Sequence, residues 1–195
     1  MTQLYAIRND GIKFKELDLT SMDIVDTAPE VIPMNDILGF HRNNTAMATW
    51  WVTPETDFID IDDTPGGAIP EITLWTGGAG SSLVLSPKTY RYLGDLLQSY
   101  GEFLPVKVND EIYYIFNCFI LGEADDDKTV QDYVDGKAFG LKHIEFKESV
   151  KKHLLFKSTV DGCTTLFCGD QFKEITESFK LCGIIFDTNL VEVFD

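Results

Sequence analysis

Basic side chains are scarce in this sequence relative to acidic ones. The chain has 16 Lys and Arg against 32 Asp and Glu, a net charge of −16 at pH 7. Nucleic acids and anionic lipids are bound through Lys and Arg side chains that neutralise phosphates, so neither is expected as a partner. A basic protein would be attracted and its encounter accelerated. The simpler alternative is that the acidic charge serves solubility alone.

Long apolar segments are also missing. The longest apolar runs, such as IYYIF and HLLF, are too short to cross a bilayer. The N-terminus, MTQLYAIRNDG, does not have the charged start and apolar stretch of a signal peptide. These observations predict a cytoplasmic protein that does not bind membranes. With 44% hydrophobic residues and 14 Phe, the chain is expected to bury a real core.

Cysteine and histidine are too few and too scattered for the common metal and nucleophile motifs. Cys118, Cys163, Cys168 and Cys182 form no CxxC pair and lie in apolar surroundings, which predicts buried, reduced thiols. The three histidines belong to no HExxH motif, and no GxSxG elbow is present. The sequence therefore predicts a protein that is not an enzyme and has no catalytic residue, metal ligand or cofactor.

A glycine-rich stretch, TGGAGSSL at residues 76–83, superficially resembles a phosphate-binding loop. It lacks the GK[ST] ending and precedes a predicted strand, so no helix N-terminus would face the phosphate. A flexible loop is the favoured interpretation.

Strand and helix patterns predict an α+β fold. No repeat or linker divides the chain, which indicates a single domain over residues 1–195. Short strands with two inserted helices and no βαβ rhythm predict antiparallel or mixed sheets. The two main helices are expected at about 87–100 and 170–181.

The first main helix is predicted from Ser86 as N-cap and Pro87 at the first helical position, with Gly101 as a left-handed exit. A hairpin joined at Asn109 and Asp110, a pair that tolerates the positive φ of a tight turn, should follow. The second helix is expected to be capped by Asp170 and closed by Gly183. The apolar faces of the two helices are predicted to be Tyr90, Leu93, Leu96 and Leu97, and Phe172, Ile175, Thr176 and Phe179.

The first 80 residues are predicted to be short strands and loops. Pro29 and Pro33 are spaced too closely for a helix to survive between them. TAMATWWVTP, at residues 45–54, is predicted to be a half-buried strand. Residues 122–136 are expected to form an acidic loop or weak helix, and IIFD and LVEVF to form final strands.

Residues 54–67, PETDFIDIDDTPGG, concentrate acidic side chains: Glu55, Asp57, Asp60, Asp62 and Asp63. The spacing does not fit a calcium loop, because the glycines come late and no closing Glu follows. Paired-carboxylate hydrolysis remains open, since any two acids could serve. A solvated or partner-facing strip is favoured. A second such strip lies within 123–135 and includes Glu123, Asp125, Asp126 and Asp127.

Trp50 and Trp51 adjoin the first strip. Neighbours on a strand point to opposite faces, so one of them could enter the core while the other stays outside. Core packing and an aromatic anchor beside an acidic rim both remain open.

Residues 83–117 carry a recognisable pattern: SPKTYRYL, then YGEFLPV, then a hairpin ending in YYIFN. LGEADDD, LLFK and DQFKEI…LCGIIF continue it. Residues 72–186 thereby resemble a bacterial immunity-protein family, formerly a domain of unknown function, whose members are encoded beside polymorphic or contact-dependent toxins. By this resemblance residues 72–195 form the family core, and residues 1–71 form a variable, β-rich part. The motif positions are predicted to be packing residues: Tyr90, Leu93, Phe103, Leu104, Tyr113, Ile115 and Phe116.

The resemblance implies an immunity protein that neutralises a cognate toxin by direct stoichiometric binding. The toxin is expected to be basic, for instance an effector that acts on nucleic acids. The two acidic strips, with Trp50 and Trp51, are the predicted contact residues. Two alternatives stay open: a hydrolase that uses acidic residues on a toxin-made modification or a small molecule, and a calcium-dependent adaptor. The oligomeric state is left open.

Overall fold

Two sheets, two small strand pairs and five α-helices make up the described part of the protein. The computed structural model describes residues 3–61, 66–134 and 137–191. None of its helices is long and apolar enough to span a membrane. In chain order the elements are β1 (Leu4–Asn9), β2 (Glu16–Leu17), α1 (Ser21–Thr27), α2 (Met34–Leu38), α3 (Phe40–Asn43), β3 (Glu55–Thr56), β4 (Phe58–Ile59), β5 (Ile72–Leu74), β6 (Ser82–Leu85), α4 (Pro87–Leu97), β7 (Gly101–Val108), β8 (Glu111–Cys118), β9 (Val130–Val134), β10 (Lys137–His143), β11 (Leu155–Phe156), β12 (Phe167–Gly169), α5 (Asp170–Ser178) and β13 (Ile184–Asp187).

The larger sheet has the strand order β3-β7-β8-β6-β5. Its centre is the predicted hairpin β7–β8, paired from Gly101 opposite Cys118 to Val108 opposite Glu111. The hairpin turns at Asn109, whose φ of 54° is left-handed, as predicted. The pairing is antiparallel except at the short edge strand β3. The α+β class with mixed sheets is therefore confirmed.

The smaller sheet, β11-β12-β1-β13, is antiparallel and places the N-terminal strand β1 between two C-terminal strands. Tyr5 and Ile7 of β1 share one buried cluster with Leu83 and Phe116 of the larger sheet, so one of the three buried clusters joins the two sheets. Of the predicted packing residues, Tyr90 and Phe103 are partly buried and the others are buried: Leu93, Leu104, Tyr113, Ile115 and Phe116.

The first 80 residues contain the short strands β1 to β5, as predicted, and also three helices that were not predicted. Thr20 caps α1 in a capping box with Asp23, which satisfies backbone donors at the helix start. Pro33 directly precedes the first residue of α2, where a proline removes no helical hydrogen bond. The two prolines thus separate α1 from α2, and a helix lies on each side of them.

The predicted strand at 45–54 is absent. Residues 48–50 form a turn, because the carboxylate of Glu102 on β7 accepts hydrogen bonds from the backbone N–H groups of Met47 (2.7 Å) and Ala48 (2.9 Å). A side chain therefore occupies the backbone donors that a strand would use for pairing.

Helix α4 starts as predicted and ends earlier than predicted. The Ser86 hydroxyl accepts from the Thr89 N–H, which confirms the cap. Gly101 begins β7 and does not end the helix in a left-handed conformation. A Cβ at Gly101 would lie 2.0 Å from the Asn117 carbonyl oxygen, so close packing requires the glycine. Leu96, predicted to be buried, is 42% exposed.

Helix α5 is capped differently from the prediction. Its N-cap is Gly169, and Asp170 is already helical. The Asp170 carboxylate instead accepts from the Gln3 N–H (2.9 Å) and the Tyr5 hydroxyl (3.1 Å), which ties the helix to β1. Gly183 lies beyond the helix, at the entry to β13, with φ of +128°. Phe172 and Thr176 are buried and Ile175 partly buried, as expected, whereas Phe179 is 38% exposed.

The remaining predictions concern the acidic segment at 122–136, the C-terminal strands and the cysteines. The segment predicted as acidic loop or weak helix contains strand β9, and IIFD forms β13. LVEVF lies largely outside the described residues. All four cysteines are free; three are buried as predicted, but Cys182 is exposed.

Candidate protein-binding surface

The first acidic strip divides into paired and unpaired carboxylates. The Glu55 carboxylate on β3 forms an ion pair of 3.0 Å with Lys107 on β7. Asp57 is exposed and forms no ion pair within the described ranges. Asp62 and Asp63 lie outside the described residues. Of the described members, Asp57 is thus the one available for contact with a partner.

Asp60 is part of the loop structure. Its Oδ1 accepts hydrogen bonds from the N–H groups of Gly66 (3.1 Å) and Gly67 (2.9 Å), which holds the loop ends together. Its Oδ2 lies 3.6 Å from Lys15 Nζ. A carboxylate with these partners stabilises the loop and adds little free charge to the surface.

The second strip lies beside the one basic segment of the chain, residues 137–157. Glu123 pairs with Lys147 at 2.8 Å, and Asp125 with Lys128 at 2.7 Å. The hydrogen bonds from these lysines lower the pKa of both carboxyl groups. Two of the four named carboxylates of this strip are therefore paired with lysine. Two members are exposed and form no ion pair in the described part of the chain: Asp126 and Asp127.

Trp50 and Trp51 cover the core next to β7. Both are partly buried and pack against the same hydrophobic cluster as Phe58. The Trp51 Nε1–H donates to the Pro105 carbonyl at 2.8 Å, which anchors the ring on the sheet. Opposite faces were predicted for the two side chains, but their segment is not a strand and both contact one cluster.

A larger group of unpaired carboxylates lies on and beside α1 and α2, and of its members only Asp57 belongs to a predicted site. Residues 16–41 contain six Asp and Glu and no Lys or Arg. The backbone N–H of Asp18 donates to the carbonyl of Asp57 at 2.9 Å, which joins this region to the first strip. Five carboxylates here are exposed and have no side-chain partner among the described residues, and we call them the acidic helical face: Asp18, Asp26, Glu30, Asp36 and Asp57.

Exposed apolar side chains come from the same two helices and the turn between them. Met22 and Met34 are each 49% exposed, and Val31 is 81% exposed. Helices α1 and α2 pack against each other, so these side chains and the carboxylates belong to one part of the surface. Apolar contacts rimmed by charge are typical of protein interfaces, and methionine adapts to varied partners. The absence of Lys and Arg from residues 16–41 is the sequence signal that could have located this region.

The glycine-rich loop has a packing explanation. A Cβ at Gly77 would lie 2.0 Å from the Leu19 carbonyl oxygen, and one at Gly78 would lie 2.3 Å from the Trp75 ring. The loop precedes strand β6, as predicted, and not a helix. Close packing against a buried tryptophan therefore accounts for these glycines.

Two cavities in the described part of the protein, of about 320 and 220 Å³, are lined by none of the predicted contact residues. The larger includes Arg8, Glu16 and Thr76, and the Thr76 hydroxyl donates to the Glu16 carboxylate at 2.9 Å. Within the described ranges, no three His, Cys, Asp or Glu side chains are grouped so that they could hold a metal ion.

The chain matches no protein-family model, and no curated protein is significantly similar to it. The structure is that of an α+β protein whose surface presents exposed carboxylates without ion-pair partners beside exposed apolar side chains. Such a surface is suited to a positively charged protein partner.

Proposed function

We propose that this protein is an immunity protein that neutralises a cognate bacterial toxin in the cytoplasm by direct stoichiometric binding. The resemblance of residues 72–186 suggests the role, and the acidic helical face supports it. In this role the chain is an inhibitor without catalysis or cofactor, and its toxin is basic, such as an effector that acts on nucleic acids.

The observation that carries the proposal is that Asp18, Asp26, Glu30, Asp36 and Asp57 are exposed and form no ion pair among the described residues. A carboxylate already paired with lysine has little attraction left for a partner. Unpaired carboxylates on a chain of net charge −16 project a negative potential beyond the surface. At physiological ionic strength this potential extends about 8 Å, enough to orient a basic protein before contact.

Once the toxin is in contact, the apolar side chains contribute differently from the charges. Met22, Val31 and Met34 expose surface that a partner can remove from water. Burial of apolar area slows dissociation, whereas the charges mainly accelerate association. Fast capture followed by slow release is what an inhibitor of a lethal enzyme requires.

A basic toxin that acts on nucleic acids must itself bind phosphates through Lys and Arg. The carboxylates of the acidic helical face would occupy the same cations. Inhibition would then result from competition with the substrate for the positive surface of the toxin.

Co-expression with the toxin encoded by the neighbouring gene tests the proposal. We expect cells to survive and the two proteins to co-purify in a fixed stoichiometric ratio. A variant with an intact acidic helical face and a destabilised core serves as the control for folding. Continued killing by the toxin, together with no co-purification of the wild-type protein, would contradict the proposal.

A further inference from the structure

Helix α4 exposes a second surface of a different character. Tyr92 and Leu96 lie one turn apart on its outer side and are 41% and 42% exposed. The Tyr92 ring stacks on the ring of Phe179, with centroids 4.3 Å apart and planes inclined by 6°. Phe179 follows α5 and is itself 38% exposed. Three large apolar side chains thus form a patch that is ordered within the monomer.

The two segments that form this patch carry no net charge of their own. Residues 86–98 and 170–182 contain four basic and four acidic side chains, so the remaining residues carry the whole net charge of −16. A basic partner gains nothing from a neutral surface. A second copy of this acidic chain would be repelled over most of its surface and can approach where the charges balance. The charged residues concerned are Lys88, Arg91, Lys173 and Lys180, and Asp95, Asp170, Glu174 and Glu177.

The charges on α4 are also arranged to complement themselves. Arg91 and Asp95 are exposed, lie one turn apart, and form no ion pair with any described residue. Two copies of α4 can pack antiparallel about a two-fold axis that passes at the level of Leu93 and Gly94. Arg91 of each copy then faces Asp95 of the other, so that two equivalent ion pairs form. In the same register Tyr92 faces Leu96 of the second copy. An isologous interface requires this reciprocity.

We propose that the outer face of α4, with Arg91, Tyr92, Asp95 and Leu96, is the interface of a homodimer, extended by Phe179. Tyrosine and arginine are the residue types enriched at energetically important interface positions. This inference is independent of toxin binding, because it concerns a different surface and a second copy of the same chain.

Charge reversal of the isolated protein tests the register. In sedimentation equilibrium at micromolar concentrations, the wild type is expected to show twice the 22.0 kDa chain mass. Arg91→Asp places like charges opposite each other and should weaken self-association by about tenfold or more. Asp95→Arg should do the same, and the double variant R91D/D95R should restore the dimer because both ion pairs re-form with opposite polarity. Far-UV circular dichroism establishes that each variant is folded.

A spin label on Cys182, the exposed one of the four free cysteines, gives a second measurement. The dimer should show a dipolar distance between two labels that disappears in Arg91→Asp and returns in the double variant. A monomeric wild type throughout the concentration range would overturn the proposal. A dimer insensitive to the single charge reversals, or one that the double variant fails to restore, would overturn it equally.

Discussion

Replacing Glu102 with Gln tests how the irregular segment after α3 is held on the larger sheet. The Glu102 Oε1 accepts from the Met47 N–H at 2.7 Å and from Asn117 Nδ2 at 2.9 Å. Its Oε2 accepts from the Ala48 N–H at 2.9 Å. Glutamine has the same shape but a single acceptor oxygen, so one backbone donor would face an amide NH₂ group and lose its partner.

The magnitude follows from these three hydrogen bonds. A hydrogen bond to a charged group contributes about 1.5–3 kcal/mol, and a neutral one about 0.5–1.5 kcal/mol. Glu102→Gln removes one bond and removes the charge from the other two. Because Glu102 is only partly buried, we expect a loss of about 2–4 kcal/mol in the free energy of unfolding.

Urea denaturation measures this loss, and at an unchanged m-value the midpoint should fall by about 1–2 M. Glu55→Gln is the matched control, since it removes one carboxylate charge from an exposed ion pair with Lys107 and should cost about 0–1 kcal/mol. If Glu102→Gln is no more destabilising than Glu55→Gln, the carboxylate does not hold the segment that carries Trp50 and Trp51.

Three further predictions concern the cap, the buried lysine and the glycine loop. Thr20→Ala should cost about 1 kcal/mol in urea denaturation at neutral pH. The hydrogen bond from the Thr20 hydroxyl lowers the pKa of Asp23, so this difference should be complete above the ordinary value of 3.8 and shrink as the pH falls through the lowered pKa. The part that comes from the Asp23 N–H bond to the Thr20 hydroxyl should remain. Burial lowers the pKa of Lys157, so the cost of burying its charge is fully present at neutral pH and is relieved as the pH approaches 10.5. The free energy of unfolding of the wild type, measured relative to that of Lys157→Met, should therefore rise from neutral pH to that value. A difference that stays constant over this interval would contradict the prediction. Gly78→Ala places a methyl group against the Trp75 ring and should lower the free energy of unfolding by about 1–3 kcal/mol. An unchanged thermal midpoint and unchanged tryptophan emission would show that the loop accommodates the methyl group without cost.

Elements with local signals were predictable from the sequence. Ser86 and Pro87 mark the start of α4, and Asn109 supplies the left-handed residue of the β7–β8 hairpin. Helix α1 was predictable in principle, since Thr20 and Asp23 form a capping box. It was missed because the first 80 residues were assigned to short strands and loops, and the capping box was not considered.

Which carboxylates of the two predicted strips stay unpaired was not predictable, because it depends on contacts between distant residues. Lys147 lies 24 residues from Glu123, and Lys107 lies 52 residues from Glu55. No local pattern reveals that these lysines compensate the two predicted strips. Asp57 shows the opposite outcome, since folding leaves it exposed beside Asp18 and without an ion pair to any described residue.

The most direct test of toxin capture by the acidic helical face is the rate of association with the cognate toxin as a function of salt. Asp18→Asn, Asp26→Asn and Asp57→Asn together remove three unpaired charges from this face. Glu123→Gln, Asp126→Asn and Asp127→Asn make the same change in net charge elsewhere.

We predict that the first triple variant associates about tenfold or more slowly at low salt and shows a shallower salt dependence, because electrostatic steering acts on the encounter. The second triple variant should stay close to the wild type. Equal rates and salt slopes for the first variant and the wild type would contradict the assignment of the acidic helical face as the toxin-binding surface.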